Sequence, residues 1–210
     1  MELKVAYDNL RKYNPILKPL PNGSPLWKKV VIEIIDSYPI DEEILKSAIV
    51  VGGSLEDKDV TDKMYEFFKR ITDDNLRKLI VESWSSNINE KVIDVQFELI
   101  GIREKPMDRY VRQIASQNII NAFKKISEEN ALKAHSIILK LKKSLNSENT
   151  FTRMNSVIIM RSINNKNLLY DLEKRLAVEK KLLSSGSQDV GIPYVIRELE
   201  KSITFYKERA

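Results

Sequence analysis

Asp-Arg-Tyr-Val-Arg-Gln-Ile-Ala-Ser-Gln-Asn-Ile-Ile-Asn-Ala-Phe-Lys-Lys-Ile, residues 108–126, is the stretch whose reading decides the fold. Val111, Ile114, Ala115, Ile119, Ala122, Phe123 and Ile126 recur at spacings of three and four, which makes them one face of a helix. Arg112, Gln113, Ser116, Gln117, Asn121, Lys124 and Lys125 fall on the other side. Residues 151–163, Phe-Thr-Arg-Met-Asn-Ser-Val-Ile-Ile-Met-Arg-Ser-Ile, repeat the pattern. Superposing Arg112 on Arg153 puts Ala115 on Ser156 and Ile119 on Met160. A helix repeated in this way predicts stacked helical hairpins, each unit burying its apolar face on the next.

The rest of the chain extends the pattern in both directions. On the N-terminal side, residues 2–13 read as a short helix, and Pro15, Pro19, Pro21 and Pro25 break the segment that follows. Ser24-Pro25 is a helix start, with Val30, Val31, Ile34 and Ile35 on one face beside Trp27. Asp41 opens a second helix carrying Ile44, Leu45, Ala48 and Ile49, which Gly52-Gly53 is expected to stop. A second hairpin carries Val60, Met64, Phe67, Phe68 and Ile71, then Leu76, Leu79, Ile80 and Trp84. Residues 90–102 form one more helix before Gly101 and Pro106 mark a break.

Beyond the central helix, Leu132, Ile138, Leu139, Leu141 and Leu145 form a stripe over residues 128–145. Helix 151–163 is expected to pair with 166–183, where Leu168, Leu169, Leu172, Leu176 and Leu183 repeat. Residues 184–191, Ser-Ser-Gly-Ser-Gln-Asp-Val-Gly, read as a flexible linker, and a last helix from Pro193 carries Val195, Ile196, Leu199, Ile203 and Tyr206. The expected organisation is an N-terminal helix and Pro-rich lead-in over 1–23, a helical-repeat domain over 24–183, the linker, and a C-terminal helix over 192–210 packing on the repeats. No strand pattern stands out. The fold class is all-α, an irregular stack of antiparallel helical hairpins, with an irregular helical bundle as the alternative.

Composition bounds the setting. At 210 residues with 42% hydrophobic and 31% charged side chains, the chain reads as soluble and globular, in one large domain or two small ones. No apolar run approaches the roughly 20 residues that span a bilayer, and the first residues lack a signal-peptide pattern. Without cysteine there is no disulfide framework and no thiolate metal site, so the expected compartment is the cytoplasm. Abundant lysine and isoleucine with scarce glutamine and glycine fit either a hot-living organism or an AT-rich genome. The charge is unevenly placed. Residues 1–100 hold 14 Lys+Arg against 18 Asp+Glu, a net of −4, and residues 101–210 hold 21 against 12, a net of +9.

Two segments carry a family resemblance. Val111-Arg112-x-x-Ala115-x-x-x-Ile119, and Thr152-Arg153-Met154-Asn155-Ser156-Val157 running through Asn164-Asn165 into Leu168-Leu169-x-x-Leu172, resemble HEAT-type repeats. The resemblance covers 108–183 and extends loosely over 24–102. It implies an α-solenoid, a role in holding partners rather than in catalysis, and a structural arginine that bonds across each repeat junction. Some DNA glycosylases share this repeat, but their site residues do not map onto Trp27 and Trp84, which read as core.

Catalytic patterns are scarce. His135 is the one histidine, so it alone could supply the imidazole base of a triad, and on a mostly apolar helix it reads as structural. Gly52-Gly53-Ser54 lacks the later Gly-Lys-Ser/Thr of a phosphate loop. The acidic clusters Asp41-Glu42-Glu43, Asp57-x-Asp59-x-x-Asp62 and Asp73-Asp74 each fall at a predicted helix N-terminus, where acid stabilises the free N–H groups. A magnesium site there is the weaker reading. The expectation is therefore no catalytic residues, no cofactor and no metal.

The expected function is a non-enzymatic interaction or scaffold module that binds a protein partner. The alternative is a nucleic-acid-binding accessory protein that lays its basic half along DNA or RNA phosphates. The candidate basic surface is Lys124, Lys125, Lys140, Lys142, Lys143, Arg153, Arg161, Lys174, Arg175, Lys180 and Lys181. No membrane partner is expected, and the sequence leaves the oligomeric state open.

Overall fold

Three aspartates set where helices begin in the first half of the chain. Asp41, Asp57 and Asp73 each accept hydrogen bonds from the backbone N–H groups two and three residues on. This is the capping role that their place in the sequence predicts, and each cap is worth about 1 kcal/mol. The computed structural model describes residues 25–209, side chains from residue 27. The N-terminal helix and Pro-rich lead-in expected over 1–23, and Ser24 as a cap, lie outside the described residues. Within 25–209 there are ten α-helices and no strand. Contacts divide the chain into two units, residues 1–95 and 96–210, with the division inside a helix.

In the first unit, α1 (Pro25–Asp36) pairs with α2 (Glu42–Ser54), and α3 (Lys58–Arg70) with α4 (Asp74–Ser83). The hairpins lie on each other so that α1 also meets α3 and α2 also meets α4. Val30, Val31, Ile34 and Ile35 of α1 are fully buried, as the 3–4 spacing predicts. Phe67, Phe68 and Trp84 are buried as well, and each contributes on the order of 1.5–3 kcal/mol of burial. Trp27 is half-buried.

Gly52-Gly53 does not stop α2, which runs on to Ser54. A Cβ at Gly52 would lie 2.8 Å from Val31 Cγ1 and 2.9 Å from Met64 Sδ. A Cβ at Gly53 would lie 2.1 Å from Ser83 Oγ. The pair is there because α1, α3 and α4 approach α2 closely, not because the backbone must turn. Asn87 then closes the end of α2, its amide donating to the carbonyls of Gly53 and Leu55, both at 2.9 Å. Those carbonyls have no partner within the helix, so the side chain supplies one.

The division between units falls in α5 (Glu90–Leu99). The second unit holds α6 (Asp108–Glu129), α7 (Ala131–Leu145), α8 (Thr150–Ile163), α9 (Leu169–Ser184, preceded by a 3₁₀ turn, Lys166–Leu168) and α10 (Ile192–Lys207). Helix α6 packs on α7 and α8, and α8 also packs on α7 and α10. The residues superposed in sequence are buried alike: Ala115 with Ser156, and Ile119 with Met160. Arg112 and Arg153 do equivalent work. Arg112 Nη1 donates to the carbonyl of Ile102 at 2.6 Å, and Arg153 Nη1 donates to those of Ser147 at 3.0 Å and Glu148 at 2.7 Å. Each arginine thus ties down the link that leads into its own helix.

Two expected stripes differ. On α7 the buried ladder is Ala134, Ile137, Ile138, Leu141 and Leu145, which leaves Leu132 and Leu139 exposed together with His135. Ala134 and Ile137 complete a run at 3–4 spacing that the larger leucines do not share. The 3₁₀ turn buries Leu168 and helix α9 buries Leu172 but leaves Leu183 exposed, and α9 packs chiefly on α10 rather than on α8. Val195, Leu199, Ile203 and Tyr206 of α10 supply the apolar face that both α8 and α9 cover. Among the described residues no helix is long and apolar enough to cross a membrane.

Candidate interaction site

The N-terminal turns of α8 and α10 meet at a cleft in the second unit. Asn149 caps α8, its side chain accepting from Phe151 N at 2.9 Å and Thr152 N at 3.1 Å. That fixes Phe151 on the first turn and Met154 on the same face one turn later. Opposite, Asp189 accepts from Gly191 N at 2.9 Å, and Pro193 follows in the first turn of α10. Pro193 is preorganised for a helix start. Tyr194 lies one residue further on. A Cβ at Gly191 would be 2.4 Å from Thr150 Cγ2, so only glycine lets the two helix starts approach this closely.

Thr150 donates its hydroxyl to the Asp189 carboxylate, and Arg153 Nη2 approaches the same carboxylate oxygen at 3.4 Å. The Thr150 hydroxyl, then the Gly191 N–H and the Arg153 guanidinium, outweigh desolvation and hold Asp189 below its usual range. The segment expected as a linker therefore carries an acceptor tied to α8. The cleft has a volume of about 350 Å³ and is lined by Phe151, Met154, Val190 and Tyr194, with Arg103, Thr150, Asp189 and Gly191 completing the wall. Val190 is 85% and Tyr194 56% exposed, so the apolar lining continues onto the rim.

Both rings of the cleft carry a guanidinium. Arg112 lies over Phe151, 4.3 Å from the ring centroid, and Arg197 lies 5.6 Å from that of Tyr194. Each such contact contributes about 0.5–1 kcal/mol at an exposed site. Burial, together with the nearby Arg109, pushes Arg112 below its ordinary value although Asp108 opposes this. Arg103 is exposed and has no carboxylate partner among the described residues. Arg197 is 3.7 Å from Glu198, a loose contact, because Glu198 is already engaged by Lys201 at 3.0 Å and Arg161 at 3.2 Å. Burial would raise Glu198, but those two cations outweigh it and keep the carboxylate below its ordinary 4.5.

The eleven basic residues singled out in the sequence are not brought into one array of free cations. Arg153 is 3% exposed and pairs with Glu179 Oε1 at 2.6 Å, and Arg175 meets the same oxygen at 2.7 Å. Arg161 is held by Glu198, Lys142 by Asp171 at 2.9 Å, and Lys180 by Glu200 at 2.8 Å. Lys140 is half-buried. Lys124, Lys125, Lys143, Lys174 and Lys181 are exposed and carry no ion pair among the described residues. Arg103, Arg112, Phe151, Val190, Tyr194 and Arg197, which shape the cleft, were not candidates in the sequence. A legible signal was Val190, an apolar residue inside an otherwise polar run just before Pro193.

No protein-family model matches the chain, and no curated protein matches it. Among solved structures, the crystal structure of an engineered protein, a structural-genomics target, is similar at 16% identity with a TM-score of 0.37. The likeness covers 98% of this chain and 90% of that one, and is too slight to carry fold or function. The chain stands as an all-α protein of packed helices, compatible with a helical repeat.

Proposed function

We propose that the protein is a non-enzymatic, HEAT-like helical-repeat module that docks a protein partner, and that docking runs through the cleft between the starts of α8 and α10. The observation that carries this reading is the apolar cleft with Val190 and Tyr194 exposed at its rim, on helix starts fixed by Asn149, Asp189 and Gly191. Exposed apolar surface continuous with a cavity is where partners anchor. The equivalent roles of Arg112 and Arg153 support the repeat reading, since each secures the link into its helix. A cysteine-free chain suits a reducing compartment, and the cytoplasm is the proposed setting.

The test is selection of displayed random peptides on the full chain, followed by competition on Met154→Trp, which fills the cleft, and Val190→Ser, which removes rim apolarity without touching the core. Enriched peptides that share an apolar position and lose binding to both variants support the reading. No enrichment, or binding indifferent to both variants, overturns it. A second reading draws on Lys124, Lys125, Lys143, Lys174 and Lys181, which are exposed without ion pairs among the described residues and suit contact with nucleic-acid phosphates. Its test is a salt series with duplex and single-stranded DNA and RNA, in which a shallow or absent salt slope rules it out.

A further inference from the structure

We propose that the cleft selects a segment of protein chain in which an apolar anchor side chain is flanked by carboxylates. The inference rests on the docking reading above and specifies the occupant.

The cavity of about 350 Å³ lies at the low end of the roughly 300–1,000 Å³ of small-ligand sites, room for an anchor side chain or two rather than a helix face. Its lining is dominated by Phe151, Met154, Val190 and Tyr194, which offer an anchor contact area but little hydrogen bonding. Two of the polar side chains at the wall are engaged with each other: Thr150 donates to Asp189, and Asp189 also accepts from Gly191 and Arg153. Arg103 is the wall side chain left to donate, so a nucleobase would bury most of its polar edge unmatched there, which is costly. What stands around the apolar lining is guanidinium: Arg103 on the wall, Arg112 over Phe151 and Arg197 beside Tyr194.

The one carboxylate in the wall is held by Thr150 and Arg153, and Glu198 is held by Lys201 and Arg161. Arg112 is engaged by the Ile102 carbonyl at 2.6 Å, so Arg103 and Arg197 are the guanidiniums left with no strong internal acceptor among the described residues. Arginine presents a planar fork that matches carboxylate bidentately, so acidic residues beside the anchor are the complementary chemistry. Basic flanks would meet like charge, and a ring already bearing a guanidinium has less to offer a second cation. The apolar contact supplies the seat, and charge decides which segments take it.

The test uses synthetic peptides sharing one Leu-Phe anchor, with flanks of Asp/Glu, of Asn/Gln, or of Lys/Arg, measured by fluorescence polarisation on the full chain. The acidic set is expected to bind about tenfold tighter than the amide set, the value of one added charge-assisted contact. Arg103→Glu, at an exposed site, is expected to erase that preference, and Arg103→Gln to halve it on a logarithmic scale. Equal binding of acidic and amide sets, both lost in Val190→Ser, would overturn the acidic preference and leave the docking reading intact. Acidic binding untouched by Arg103→Glu and by Arg197→Glu would place the contact elsewhere and overturn the inference. So would an oligouridine probe that binds tighter than the acidic set and depends on Arg103. Should none of the three sets bind while displayed peptides are still enriched, the inference falls and the docking reading stands.

Discussion

Arg153 Nε meets Glu179 Oε1 at 2.6 Å where the arginine side chain is 4% exposed and the glutamate side chain is fully buried. Arg175 Nε and Nη2 converge on the same oxygen at 2.9 and 2.7 Å, while Oε2 has no partner among the described residues. One carboxylate thus neutralises arginines from two helices, α8 and α9. Its removal would strand a buried guanidinium, and breaking such a pair costs about 3–5 kcal/mol. Glu179→Gln is expected to lower stability by that order, read from urea unfolding midpoints. Arg153→Met combined with Glu179→Leu should recover only part of the loss, because the carbonyls of Ser147 and Glu148 lose their donor. A Glu179→Gln midpoint within error of the parent would show that the pair is not a structural hinge of this unit.

Gly53→Ala is expected to destabilise although alanine is the better helix former by about 1 kcal/mol. The added methyl would sit 2.1 Å from Ser83 Oγ and 2.6 Å from the Ser83 carbonyl carbon, and backbone cannot step aside as a side-chain tip can. Overpacking of this kind costs about 1–3 kcal/mol, so the clash outweighs the propensity. Thermal unfolding of the two proteins side by side checks the sign. A raised midpoint would mean that α2 and α4 can separate freely.

These two sites also mark what could be read in the sequence. The 3–4 spacing around Val111, Ala115 and Ile119 placed a buried helix face without any structure, and Asp41, Asp57 and Asp73 announced helix starts because capping depends on chain neighbours. Gly53 was legible as glycine but not as a packing contact, since its reason, Ser83, is thirty residues away. Leu139 lay on an apolar stripe yet faces outward, because α7 turns its Ala134–Ile137–Leu141 ladder inward instead. The cleft was hidden for the same reason as Gly53. Phe151, Tyr194 and Arg103 come from three separate segments and meet only when α8 and α10 pack.

Asp189 gives a pH dependence of defined sign. Its carboxyl is held low chiefly by the Thr150 hydroxyl, so the folded state favours the ionised form more than the unfolded state does. A depressed acid contributes stability that is fully present above its unfolded value, here 3.8, and is lost as pH falls through the folded value. The stability difference between the parent and Asp189→Asn is therefore expected to be constant from neutral pH down to the carboxylate range, and to shrink below 3.8. Thr150→Val should raise the Asp189 titration towards that value. A parent-to-variant difference that grows on acidification would contradict the assignment of Asp189 as an ionised acceptor.

Tyr206 works in the opposite sense at the other end of the scale. Its hydroxyl donates to the carbonyl of Met160 near the C-terminus of α8, a group with few partners in its own helix. Burial pushes the phenol up to about 12 from its ordinary 10.0. The folded state thus prefers the protonated form. The stability this provides is fully present below 10 and disappears as pH climbs through about 12. Tyr206→Phe keeps the ring and drops the donor, and is expected to cost on the order of 1–2 kcal/mol at neutral pH. Ultraviolet titration of the chain's 8 tyrosines should show one tyrosinate appearing late, coincident with unfolding, and Tyr206→Phe should lack that step. If all of them ionised together near the ordinary value, Tyr206 would have to be open to water, and the packing of α10 on α8 would need redrawing.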